Sequence, residues 1–202
     1  VAPGFALDLT VDDPDDGAPW DFDRKEKRDK ARRMLREQRP YLLIGSPACR
    51  AFSSWQALNK FWSSDPAAME RDRVAATVHM DFVASLYREQ HEEGRFFLHE
   101  HPYNATSWEL PSFEALALVP GVTRVRADQC QFGATASNGR PVMKPTGFLT
   151  NSSCLADTLH RLCEGRGGQC SRPGGGLHQH CTGKHARNAQ VYPKGLCKAI
   201  LR

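Results

Sequence analysis

The sequence predicts an α/β fold, and three observations carry that expectation. Short runs of aliphatic and aromatic residues recur along the chain, helical patterns separate them, and no repeat period or long low-complexity tract interrupts the alternation. FALDL (5–9) reads as the first strand. DRKEKRDKARRMLREQ (23–38) follows as a highly charged helix with Ala31, Met34 and Leu35 on one face. YLLIG (41–45) is the next strand. From Pro66 to Gly94 the residues Val74, Val78, Phe82 and Leu86 recur every fourth position, with proline at the start and glycine at the end of a long helix. RFFLH (95–99), VTRVRA (122–127) and GFLTN (147–151) complete the strands. Strand, helix, strand, long helix, strand is the order that builds a Rossmann-like, mostly parallel sheet with helices on both faces. At 202 residues and 40% hydrophobic content, one sizeable core is expected, so residues 1–202 read as a single domain. Its first residue is Val rather than Met, which predicts a piece cut from something longer.

Charge and cysteine usage narrow the classes. There is no run of eighteen apolar residues, which excludes an obvious membrane-spanning helix. Acids crowd DDPDDGAPWDFD (12–23), whereas Lys and Arg dominate residues 161–202 against a single acid, Glu164. A basic C-terminal surface suits a polyanionic partner such as nucleic acid, and equally an ordinary solvated face. Seven cysteines, an odd number, predict reduced thiols in an intracellular protein rather than a disulfide framework.

Two strand ends carry chemistry. In an open parallel sheet the ligand crevice lies beyond the carboxyl ends of the strands. Cys49 follows YLLIGSPA, where Gly45 and Pro47 favour a turn that lifts the thiol off the strand; its bland alternative is a small core residue. Glu100 follows RFFLH and precedes His101 and Pro102, so it could hold or deliver a proton, or be a plain loop acid. Facing one crevice, the pair would be a nucleophile with an acid.

These residues carry a resemblance. Ile44-Gly45-Ser46-Pro47-Ala48-Cys49 with Phe52-Ser53 resembles the Pro-Pro-Cys nucleophile motif of the cytosine-5 DNA methyltransferases, and Glu100-His101-Pro102 resembles their Glu-Asn-Val motif. Asp128-Gln129-Cys130-Gln131-Phe132-Gly133, with Lys144-Pro145-Thr146, resembles the Gln-x-Arg-x-Arg region, and Val191-Tyr192-Pro193 onward resembles the closing motif. The phrases GSPxCxxFSxxQ and LHEHPxxATSW are similar to a methyltransferase-like segment of some retroelement polyproteins. The resemblance implies S-adenosylmethionine as cofactor and DNA, ahead of RNA, as partner, in the nucleus. It implies Cys49 as the thiolate that attacks C6 of cytosine and Glu100 as the acid at N3. It further implies Ser46, Arg50, Ser53 and Lys144 toward the substrate, and Asp21 and Pro47 toward the cofactor. Residues 1–10, VAPGFALDLT, lack the family's Phe-x-Gly-x-Gly loop, so the first strand and glycine loop are expected upstream of Val1 or lost. Ala48 replaces a proline, and Lys144 stands where an arginine is usual.

Between Asn151 and Tyr192 the chain is too short for the family's usual target-reading region. It holds instead C-x6-C-x7-H-x-H-C, a Cys/His-rich insert at about 160–185. Thiolates and imidazoles in this number can close a structural zinc site, for which Cys163, Cys170, His180 and Cys181 are the candidate ligands beside His178; the alternative is a glycine-rich loop with reduced thiols. Methyl transfer to cytosine is the expected function. A catalytically inactive, nucleic-acid- or partner-binding module of a retroelement polyprotein is the alternative, and a different thiol enzyme pairing Cys49 with His99 or His101 is a third.

Overall fold

The computed structural model describes residues 4–53 and 65–202. Its helices are α1 (Lys25–Gln38), α2 (Pro66–Glu92), α3 (Pro111–Ala117), α4 (Ser153–Leu159), α5 (Gly183–Asn188) and α6 (Lys194–Ile200). The strands are β1 (Leu42–Gly45), β2 (Phe96–Pro102), β3 (Thr123–Asp128) and β4 (Pro145–Thr150), in the sheet order β1-β2-β4-β3. The fold is therefore mixed α/β. Two compact units share the chain: residues 1–97 with 106–118, and residues 98–105 with 119–202.

The expected mostly parallel sheet is corrected here. β4 runs antiparallel to β2, with Glu100 opposite Phe148, and antiparallel to β3, with Val125 opposite Phe148; one neighbouring pair is parallel. The reason lies in the β3–β4 connection. Between Asp128 and Pro145 the chain forms one 3-10 turn, Gln129–Phe132, and further turns but no crossover helix, so it returns beside β3 in the opposite direction.

In the first unit, α1 carries charge on nearly every turn and still buries Lys27, Ala31 and Leu35, spaced four residues apart. Lys27 can be buried because Asp13 and Asp16 accept from its Nζ at 2.7 and 2.8 Å. Arg39 ends the helix in the left-handed region at φ 46°, its N–H donating to the Leu35 carbonyl. Asp65 caps α2 by accepting from the Ala68 N–H, Pro66 opens the first turn, and Gly94 follows the end at φ 71°. Met80, Val83, Ala84 and Tyr87 face the core. Phe82 and Leu86 are buried as the spacing predicts, but Val74 and Val78 are exposed. A strict four-residue step drifts about 40° per step on a 3.6-residue helix, so Val74 and Leu86 point about 120° apart. Gln90 is wholly buried: its Nε2 donates to the carbonyls of Pro40 and Phe96 and its Oε1 accepts from Arg95, which fixes the approaches to β1 and β2.

FALDL (5–9) forms no strand. Phe5, Leu7 and Leu9 instead border a cavity, with Phe5 and Leu9 exposed.

In the second unit, β4 is buried along nearly its whole length, as expected of a strand covered on both faces. Ser152 caps α4 by accepting from the Leu155 N–H, and Leu159 and, on α6, Leu196 are fully buried. Among the described residues no helix is long and apolar enough to cross a membrane.

Candidate functional site

In the first unit, β1 ends on Gly45, a position where nothing larger fits. A Cβ there would lie 1.9 Å from the Tyr87 hydroxyl oxygen, and Tyr87 is pinned by stacking on Phe97 with ring centroids 4.9 Å apart. The chain then turns through Ser46-Pro47-Ala48 into the 3-10 turn Arg50–Phe52, which Cys49 precedes as its N-terminal cap residue with an exposed thiol. Gln56 of the same motif lies outside the described residues.

The turn borders a cavity of about 1380 Å³. Asp21, Ser46, Pro47, Arg50 and Ser53 all line it, as does Ala48; Cys49, between Ala48 and Arg50, does not. Trp20, Phe22 and Leu43 supply apolar wall, and Asp8, Asp23, Glu70 and Asp72 outnumber Arg50 and Arg73. A partly aromatic, net acidic hollow favours a ligand that carries positive charge. His79, on α2, also lines it with its ring 5.5 Å from that of Phe22, and burial lowers its imidazole below the usual histidine range. Sequence reasoning passed over His79, whose only signal was its place one residue after Val78 on an otherwise apolar stretch.

In the second unit, Glu100 is buried in β2, and Lys144 approaches its Oε1 at 3.8 Å. Lys144 also donates to the Ala189 carbonyl at 3.2 Å. His99 and His101 flank Glu100 in sequence and stack on each other with centroids 5.6 Å apart; burial, then its neighbour, lowers His99 well below the ordinary range. Glu100 and Lys144 are thus brought together, whereas Cys49, Asp21, Pro47, Ser46, Arg50 and Ser53 belong to the first unit.

The second unit also gathers a Cys/His group. Cys130, Cys163, Cys170 and His178 bring one donor atom each within 4.8 Å of one another. Cys163 Sγ is 3.9 Å from Cys170 Sγ and 3.6 Å from His178 Nε2. Cys163 and Cys170 were expected there; His180 and Cys181 lie outside this group, and Cys130 and His178 stand in it. Burial raises both Cys130 and Cys163. At Cys163 the N–H groups of Ser171 and Gly165, the Ser171 hydroxyl and the Cys130 thiol overcome it and bring the thiol down to about 6, while Cys130 is pushed far up. Cys130 was hidden from spacing arguments because it comes from the turn after β3, 33 positions before Cys163.

No family model, curated protein or solved structure matches the chain.

Proposed function

We propose that this chain is a cytosine-5 methyltransferase-like module that acts on nucleic acid, DNA ahead of RNA, inside the nucleus. The observation that carries the reading is the cavity of the first unit: five residues that the motif resemblance assigns to cofactor and substrate, Asp21, Ser46, Pro47, Arg50 and Ser53, line one hollow beside the Cys49 turn.

S-adenosylmethionine, when bound, supplies an electrophilic methyl group. The lining fits it: the excess of carboxylates favours its sulfonium charge, and Phe22 offers surface to the adenine. Asp21 would contact the adenine side and Pro47 would shape the wall. Cys49, exposed at its turn in the first unit, is the thiol that adds to C6 of cytosine, which makes C5 nucleophilic once N3 is protonated; the motif resemblance gives that proton to Glu100. In the first unit Arg50 meets phosphate or base, and Ser46 and Ser53 hold the substrate; the resemblance gives Lys144 a substrate role as well. The base must leave the stack to be reached.

Isothermal titration with S-adenosylmethionine tests the cofactor half: binding that Asp21→Ala weakens supports it. A DNA oligonucleotide carrying 5-fluorocytosine tests the chemistry, because C5 then cannot release a proton and the Cys49 adduct persists. An adduct abolished by Cys49→Ser supports transfer. Nucleic-acid binding with neither cofactor binding nor adduct supports the second reading, an inactive binding module of a retroelement polyprotein, which the basic segment 161–202 favours.

A further inference from the structure

We propose that Cys130, Cys163, Cys170 and His178 hold one zinc ion in a closed tetrahedral site that pins the glycine-rich loop 163–178 to the end of β3. The inference concerns the second unit alone and stands apart from the methyl-transfer reading.

Geometry is the first argument. Zinc bonds of about 2.3 Å to sulfur and 2.0–2.1 Å to nitrogen, at tetrahedral angles, place two sulfurs about 3.8 Å apart and a sulfur about 3.6 Å from a nitrogen. The structure has Cys163 Sγ and Cys170 Sγ at 3.9 Å and Cys163 Sγ and His178 Nε2 at 3.6 Å. A disulfide requires about 2.05 Å, so these thiols are spaced as ligands rather than as a bond. Three sulfurs and one imidazole with no carboxylate select a soft or borderline ion over magnesium or calcium.

The surroundings are the second argument, because every ligand is held by its neighbours. Gln131 Nε2 donates to the sulfurs of both Cys130 and Cys170 at 3.7 Å. The Ser171 N–H donates to Cys163 Sγ at 3.4 Å, and the Cys163 N–H donates to Asp128 Oδ2 at 2.8 Å. Arg172 reaches the Cys130 carbonyl at 3.0 Å. Cys170 and His178 sit in a small hairpin, Gln169 opposite Leu177, whose turn passes so close that a Cβ on Gly175 would lie 2.7 Å from Cys170 Cβ. N–H donors aimed at sulfur favour thiolates, and four protein ligands leave no open position, so the site is structural rather than catalytic. Binding releases the thiol protons to solvent as the thiolates take the ion.

The test uses the full chain, purified in reducing buffer. Elemental analysis should find about one zinc per chain, and exchange with cobalt(II) should give the absorption of a tetrahedral thiolate complex. His178→Ala and Cys163→Ser should cut zinc to below about a tenth of an equivalent, whereas His180→Ala and Cys181→Ser should keep it. Zinc that survives His178→Ala but is lost with His180→Ala or Cys181→Ser overturns the ligand set. Absence of zinc and of any cobalt–thiolate band in the wild-type chain overturns the site. Should Cys130→Ser fail to fold, hydrogen exchange of the wild-type chain decides that arm: a chelator should deprotect residues 129–133 together with 163–178, and unchanged exchange at 129–133 counts against Cys130 as a ligand.

Discussion

Lys27 Nζ meets Asp13 Oδ2 at 2.7 Å with the two side chains 2% and 1% exposed. The pair fastens the acidic segment before α1 to that helix, assisted by Asp16 and by Lys30, which bonds Asp13 and Asp15. Both ammonium groups also lie over the Trp20 ring, 5.1 and 5.3 Å from its centroid. Removing one partner strands the other charge away from water. Lys27→Met should therefore lower the thermal midpoint by roughly ten degrees, while the exposed Lys25→Met should leave it almost unchanged, as calorimetry would read.

The same network sets an acid limit. Burial alone would raise Asp13, but hydrogen bonds from Lys27, Lys30 and the Asp15 N–H outweigh it and hold the carboxyl well below the usual carboxylate range. A carboxyl depressed in the folded state contributes stability above its unfolded value of about 4, and that contribution is lost as pH falls toward the folded value. Denaturant midpoints should fall steadily below about pH 4. Asp13→Asn should flatten that fall while lowering stability at neutral pH. An equally steep fall in the variant would show that other groups set the limit.

Gly45 and Tyr87 give a packing test. The 1.9 Å approach of an added Cβ to the Tyr87 hydroxyl oxygen cannot be relieved by backbone freedom alone. Gly45→Ala should cost about 1–3 kcal/mol. Tyr87→Phe removes the offending oxygen, so the double variant should recover much of that loss, and a chemical-denaturation double-mutant cycle measures it.

How far these features are legible in the sequence depends on range. YLLIG (41–45), RFFLH (95–99), VTRVRA (122–127) and GFLTN (147–151) each overlap a strand, and Pro66 and Gly94 bracket α2, because these signals are local; β2 nevertheless runs on through Glu100 to Pro102, so Glu100 lies within the strand and not after it. Strand direction is not local. It follows from what connects β3 to β4, and the missing helix there is invisible to a pattern of apolar runs. FALDL has the composition of a strand but no partner, and its side chains line a hollow instead. The metal group divides the same way: spacing finds Cys163 and Cys170 but points to His180 and Cys181 where the fold brings up His178, and Cys130 joins only through the fold. Lys27 is the extreme case, since nothing in KEKRDK marks one lysine of that run as buried.

Thiol reactivity joins the two candidate sites in one measurement. Cys49, Cys154 and Cys197 are exposed, Cys163, Cys170 and Cys181 are partly covered, and Cys130 is buried. Alkylation requires access and thiolate. In the zinc-loaded chain the three exposed cysteines should react first, and Cys181 should lag because burial raises its thiol. Cys130, Cys163 and Cys170 should stay unlabelled until a chelator is added, after which Cys163 and Cys170 should react well before Cys130. Methyl transfer adds a further demand: a working nucleophile should make Cys49 label fastest of the exposed three, and Cys49→Ser should leave the fold and zinc content intact while abolishing any adduct with cytosine. Peptide mass spectrometry over a time course separates all seven sites. Equal rates at Cys49, Cys154 and Cys197 would count against an activated thiol at Cys49, and rapid labelling of Cys163 and Cys170 without chelator would count against the metal.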